Sequence, residues 1–234
     1  MIKSDIEKAF PGANVVIDSI KYHASVQYNN VLIKIEPNTV IRGTLLPAVE
    51  MPLCSFLVKE FNREMSIRCV AKEELFAGKL CAALQRQHPR DLFDVLLLLN
   101  KEDGLSRPLL DAFIVYVISQ GKPINEMLNP NIHDIENLFV NQFKGMTKMD
   151  AIELEDLLQV QKNLPQEILN LFTQADKAFI SGFKKGKPDW HLIAYPHAKA
   201  LPAVRWKQLN LQKMESQKYQ QAIEKLEAVL YRVK

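Results

Sequence analysis

The run from Glu73 to Asp94 carries two spaced cations and two spaced carboxylates, and their spacing matters. Leu75, Phe76, Leu80, Ala83 and Leu84 recur at helical intervals, which predicts a helix. Pro89 ends it, and Asp91 to Asn100 reads as the next helix. On the first helix Leu75, Lys79, Ala82 and Arg86 share one face. Lys79 and Arg86 stand two turns apart, roughly 10 Å along the axis at about 1.5 Å per residue. Ala77, Gly78, Cys81, Ala82 and Ala83 surround them, so another element or a ligand can come close to this backbone. On the second helix Asp91 and Asp94 share a face at i, i+3. A lysine holds a phosphate oxygen as a point charge, and an arginine binds it in a fork. A helix start favours anions, and carboxylates bind Mg²⁺ or orient a base. Triphosphate handling needs this set. The bland alternative is an Arg90–Asp94 pair at i, i+4 beside a solvated Lys79. For charges on arbitrary helices that alternative is the commoner outcome.

The elements that position these residues are of two kinds. Before Glu73 the chain is strand-rich. Val15 to Ile20, Ala24 to Tyr28 and Val31 to Glu36 are short β-branched or aromatic runs, with a two-residue hairpin turn at Asn29-Asn30. Leu53 to Val58 and Ser66 to Val70 also read as strands, with a turn near Phe61-Asn62-Arg63. Ser4-Asp5-Ile6-Glu7 has the form of a capping box and predicts a short helix starting there. After Glu73 the hydrophobic period becomes 3.6. Helices are predicted over Pro108 to Gln120, His133 to Phe143, Asp150 to Asn163 and Pro165 to Gly182. A last helix runs from about Ala203 to Leu230. The fold class is α+β: a small mixed β-sheet followed by a mainly helical domain. The expected boundary divides residues 1–103 from 104–234.

Bulk properties exclude several classes. With 47% hydrophobic and 24% charged residues the chain has globular composition. A formal net charge of +3 is too small to argue for nucleic acid by itself. Cys54, Cys69 and Cys81 have no metal-ligand spacing and read as buried thiols of a reducing compartment. No apolar run approaches a membrane span, and the start has no signal-like core, so a cytoplasmic location is expected. His23 and His88 have no partner by spacing. Trp190 and Trp206 read as packing residues. Lys184-Lys185-Gly186-Lys187 reads as a solvated loop, with an RNA-contacting patch the less favoured alternative.

The pattern K-L-x-A-x-x-x-R-x-x-x-R-D-x-x-D, filled by Lys79, Leu80, Ala82, Arg86, Arg90, Asp91 and Asp94, resembles the signature of the AbiEii/AbiGii toxin family. Further resemblance lies at Tyr116, Pro123 to Pro130, Phe143 to Met146, Pro188-Asp189-Trp190 and Leu201 to Asn210, covering about Val31 to the C-terminus. The family is similar to polymerase β-type nucleotidyltransferases. The resemblance implies a bacterial toxin–antitoxin or abortive-infection protein. It would use Mg²⁺ to transfer a nucleotide from an NTP to a tRNA or protein acceptor, with a cognate antitoxin as partner. It implies that Lys79, with Arg86 and Arg90, binds the nucleotide, and that Asp91 and Asp94 support the site or the acceptor. The catalytic candidates are thus Glu36, Lys79, Asp91 and Asp94.

The chain departs from that pattern at its start. A polymerase β-type site needs a Gly-Gly or Gly-Ser helix start, an Asp-x-Asp strand and a third carboxylate, because two Mg²⁺ ions must be clamped. Ile33-Lys34-Ile35-Glu36 resembles the third strand, making Glu36 the candidate third carboxylate and metal ligand. Upstream of it there is no Gly-Gly and no Asp-x-Asp. Arg42-Gly43-Thr44 resembles the glycine motif but follows Glu36. Asp18 reads better as an exposed edge carboxylate. The reading is a chain that starts after the first two motifs, with impaired activity. The alternative is an inactive remnant that binds an antitoxin or an N-terminal partner segment.

Overall fold

Two consecutive asparagines set the first hairpin. Asn29 and Asn30 have φ of 45° and 62°, both left-handed, as a tight hairpin turn requires. They join β2 (His23–Tyr28) to β3 (Val31–Ile35), paired Tyr28↔Val31 through Ala24↔Ile35. β1 (Asn14–Asp18) pairs with the other side of β2, Val15 opposite Val26. Strict alternation puts Val15, Ile17, Ala24, Val26, Ile33 and Ile35 on one face. Helix α1 (Ile2–Ala9) packs on β1, and Phe10 meets Tyr28 edge-on at 5.7 Å. Helix α1 begins before Ser4, so the predicted capping box lies inside it.

The protein is described here by a computed structural model, which covers residues 2–37, 41, 43–147 and 152–232. Its contacts divide it into two compact units, Met1–Thr39 and Val40–Lys234. The boundary expected near residue 103 falls inside the second unit, where helices on either side of it pack together.

In the second unit, β4 (Val49–Pro52) pairs antiparallel with β5 (Ser66–Cys69), and α2 (Ser55–Phe61) connects them. The Leu53 to Val58 run, expected as a strand, is mostly the start of α2. Its apolar residues are too few to show a period, so strand and helix are hard to tell apart there. Asn62 closes α2 in the left-handed conformation, φ 45°. All pairings among the described strands are antiparallel and fall in two separate sheets. The expected α+β class holds, with antiparallel pairing in place of a mixed sheet: turns join β1, β2 and β3, and α2 joins β4 to β5.

The helical part is built round α5 (Arg107–Ser119), whose residues from Leu109 to Ser119, Asp111 excepted, are buried. Against it pack α3 (Lys72–Arg86), α6 (Ile124–Leu128), α9 (Gln174–Lys184) and α10 (Pro202–Gln212). Helix α4 (Pro89–Leu99) lies on α3, on α7 (Glu136–Gln142) and on α8 (Leu154–Leu171). Helix α11 (Ser216–Leu230) closes against α6 and α9.

One predicted break is misplaced and another break was not predicted. Helix α8 runs through Pro165, whose buried side chain repays the lost bond by packing. The break comes at Thr173, where Thr173 and Asp176 form a capping box. The single last helix is two, parted at Lys213 to Glu215. The predicted start of α8 at Asp150 lies outside the described residues. No described strand interrupts the helical region after Lys72.

Candidate functional site

The small residues of α3 admit another element, not a ligand. Ala77, Cys81 and Ala83 are buried, and a side chain at Gly78 would sit 3.4 Å from the Tyr116 ring of α5. This close packing fixes α3 and sends Lys79 and Arg86 to its other flank, towards α4. Of the three cysteines expected to be buried, Cys54 is instead exposed and Cys69 half-buried, since both lie at the edges of the small β4–β5 sheet and not in the helical core. Gln87, left-handed at φ 52°, ends α3, and His88 caps α4 by accepting from the Arg90 N–H at 3.2 Å. The His88 ring also meets Gln142 at 3.1 Å, a partner the sequence did not reveal. Gln87 is buried; its amide donates to the Asn131 carbonyl, and its oxygen accepts from the His133 N–H and the Gln161 amide. The α3–α4 corner is therefore tied to the segment before α7 and to α8.

Two ion pairs cross this corner. Lys79 of α3 binds Asp94 of α4, and Arg86 binds Asp91 at 2.7 Å. Lys79 and Asp94 keep about a third of their side-chain surface exposed, at 33% and 35%. The Arg90–Asp94 alternative does not form: Asp94 goes to Lys79, and Arg90 is exposed with no side-chain partner among the described residues. Four predicted site residues thus meet on one face, with Arg90 on the same helix as Asp91 and Asp94. Glu36 lies just past β3 in the first unit, exposed and held by Lys34 at 2.7 Å. The Lys34 hydrogen bond holds its carboxyl below the usual range. Asp18 accepts from the Ile20 and Lys21 N–H groups, both at 2.9 Å, and so serves a turn. Arg42 lies outside the described residues.

Glu74 escaped the sequence reading. It is buried and accepts from the Leu45 N–H at 2.8 Å, the Leu46 N–H at 3.0 Å and the Tyr116 hydroxyl at 3.0 Å. The Leu45 carbonyl is 2.8 Å from the His197 ring nitrogen. Burial, then the Glu74 charge, pushes the Tyr116 phenol up, so it remains a donor. Glu74 thus ties the segment before β4 to α3 and α5. An acidic residue in a first helical turn usually reads as a dipole partner, so nothing in the spacing separates Glu74 from Glu73.

A family model described as nucleotidyl transferase AbiEii toxin, type IV TA system, matches residues 3–208. The chain belongs to the AbiEii nucleotidyl transferase toxin family. The match begins well before Val31, where the motif resemblance starts. No curated protein and no solved structure matches this AbiEii chain. No described helix is long and apolar enough to cross a membrane.

The fit of Mg²⁺ can be judged from the donors this AbiEii chain presents. Among the described residues no group of three or more His, Cys, Asp or Glu side chains is placed to hold a metal ion. Asp91, Asp94 and Glu36 are each engaged by a cation. These donors do not fit a pair of Mg²⁺ ions, which need several carboxylates between them.

Proposed function

We propose that the α3–α4 face is the nucleotide-phosphate-handling part of a toxin nucleotidyltransferase site. The observation that carries this reading is the pairing of Lys79 with Asp94 and of Arg86 with Asp91, inside the residues that match the family. A triphosphate would displace the aspartates, since its oxygens offer each cation the same kind of partner with more charge. Lys79 would then hold a phosphate oxygen, and Arg86 and the unpaired Arg90 would bind others. Asp91 and Asp94 offset Lys79 and Arg86 and preset both cations, and Arg90 leaves the face with a net positive charge. The donor is an NTP and the acceptor a tRNA or a protein. A cognate antitoxin is the expected protein partner of a toxin from such a system.

In this reading the chain alone transfers nucleotides poorly. Its 234 residues contain neither a Gly-Gly or Gly-Ser pair nor an Asp-x-Asp, and Glu36 is one carboxylate. Stabilising charge as it develops on the phosphate is most of what such enzymes contribute. The competing reading is an inactive chain that keeps only a protein-binding surface. Equilibrium binding of a fluorescent NTP analogue separates them. Phosphate handling predicts measurable binding that weakens at least tenfold in Lys79→Ala and in Arg86→Ala. Binding unchanged by both variants, or absent from the wild type, would favour the competing reading.

A further inference from the structure

Two lysines of the AbiEii chain are buried near one another with no acidic side chain between them. Lys184 ends α9 and Lys207 lies on α10; their exposures are 6% and 8%. The Lys207 ammonium donates to three carbonyls, those of Gln120 at 2.6 Å, Gly121 at 3.3 Å and Lys122 at 3.0 Å. Its three donors are thus used at the carbonyl end of α5, where the helix dipole favours a cation. Lys184 has no hydrogen-bond or ion-pair partner among the described residues. The nearby Glu227 is taken by Lys185 and by the Ser181 hydroxyl. The lysine run read as a solvated loop therefore contains one largely buried lysine whose ammonium has no protein partner among the described residues.

Both lysines line one cavity of about 180 Å³. Its other walls are mainly Pro123, Ile124, Trp206, Leu211 and Met214, with the Asn210 amide, and no acidic side chain lines it. Two cations on one partly apolar pocket with no acidic side chain on its wall leave a positive potential there that an anion would offset. Burial lowers the Lys184 ammonium, and burial followed by the Lys184 charge pulls Lys207 down to about 8. An anion in the cavity would relieve both lysines.

We propose that this cavity binds a compact carboxylate carried on a short apolar body, with Lys184 taking the carboxylate and Lys207 adding a second fixed positive charge. Size disfavours a whole nucleoside triphosphate, because the cavity holds only about 180 Å³. It is below the ~300 Å³ at which sites for drug-sized ligands begin. The apolar walls disfavour a free phosphate, which would lose its hydration against them. A carboxylate with an aliphatic or aromatic stem satisfies walls and charge together. Such a group is supplied by a free organic acid or by the C-terminal residue of a peptide. The site is separate from the α3–α4 face, so the two proposals stand or fall independently.

The test is ligand-observed saturation-transfer NMR on the full chain, with phenylacetate, phenylacetamide and inorganic phosphate as probes. Saturable phenylacetate binding is expected, with little binding of the amide or of phosphate. Lys184→Met should weaken phenylacetate at least tenfold; it removes an unpaired charge and should fold. Ala222→Leu, which fills the cavity from α11, is the second variant and should also weaken it. A peptide ending in free phenylalanine, beside the same peptide amidated, identifies the source. Tighter binding of the free-ended peptide than of phenylacetate points to a chain end, and the reverse to a small acid. Equal binding of phenylacetate and its amide would overturn the proposal. So would unchanged phenylacetate binding in both variants, binding of phosphate alone, or binding of no probe.

Discussion

Replacing Glu74 by glutamine tests how the segment before β4 is held. One carboxylate oxygen accepts from both the Leu45 N–H and the Tyr116 hydroxyl; the other accepts from the Leu46 N–H. Glutamine can keep one oxygen in place, but its NH₂ then faces a backbone N–H. The best arrangement leaves the Leu46 donor unsatisfied and removes the charge from two other bonds. An unsatisfied buried donor costs about 1–3 kcal/mol, and bonds to charged groups are the stronger ones. A loss of about 2–3 kcal/mol follows for Glu74→Gln. At roughly 2–4 °C per kcal/mol for a domain of this size, Tm should fall by about 4–12 °C. Tyr116→Phe removes one donor and should cost only about 1 kcal/mol. The two changes share an oxygen, so the double variant should lose less than the sum of the singles. Differential scanning calorimetry gives the Tm values, and hydrogen exchange at Leu45 and Leu46 reports the local effect. A Glu74→Gln protein that melts within a degree of wild type, with both amides equally protected, would refute the reasoning.

Further outcomes follow from other contacts. Asp176 is buried and accepts a fork from Arg107 at 2.7 Å on each oxygen, joining α9 to α5. Burial raises its carboxyl, but the Arg107 and Thr173 bonds outweigh this and hold it below the usual range. Stability from this group is therefore complete above the unfolded value of about 3.9 and is lost as pH falls through the depressed folded value. Asp176→Asn should flatten the acid limb of Tm against pH below about 4, and should cost about 2 kcal/mol at neutral pH after allowing for the exposure of Arg107. Lys207→Met strands three carbonyls and should lower Tm, whereas Lys184→Met should not; thermal melts of the pair check this. Lys79→Ala breaks a part-exposed pair worth at most about 1 kcal/mol, so Tm should move by no more than a few degrees while NTP binding drops tenfold. A large Tm loss in Lys79→Ala would make the pair structural.

Some of this was legible in the residues, and some was not, for physical reasons. The β1–β2–β3 meander followed from short β-branched and aromatic runs and from Asn29-Asn30, because both signals are local. The meeting of Lys79, Arg86, Asp91 and Asp94 followed from helix faces joined by the short Gln87-His88 link. Which cation takes which carboxylate did not: Arg90 was the nearer partner for Asp94 in sequence, but packing of α3 on α4 brought Lys79 there. Pro165 misled because tertiary burial outweighed a local preference. Glu74 and Lys184 were hidden since their partners, or the lack of them, lie dozens of residues away. Lys184 sits in a run that looks solvated, and only the packing of α9, α10 and α11 buries it.

Label transfer tests the central functional claim most directly. The purified chain is incubated with radiolabelled NTPs, Mg²⁺ and bulk tRNA, and acid-insoluble label is counted. The account predicts no robust transfer alongside NTP binding that depends on Lys79 and Arg86. Robust transfer by this chain, abolished in Lys79→Ala, would contradict it and would mean that a carboxylate assigned here to a structural role completes the site.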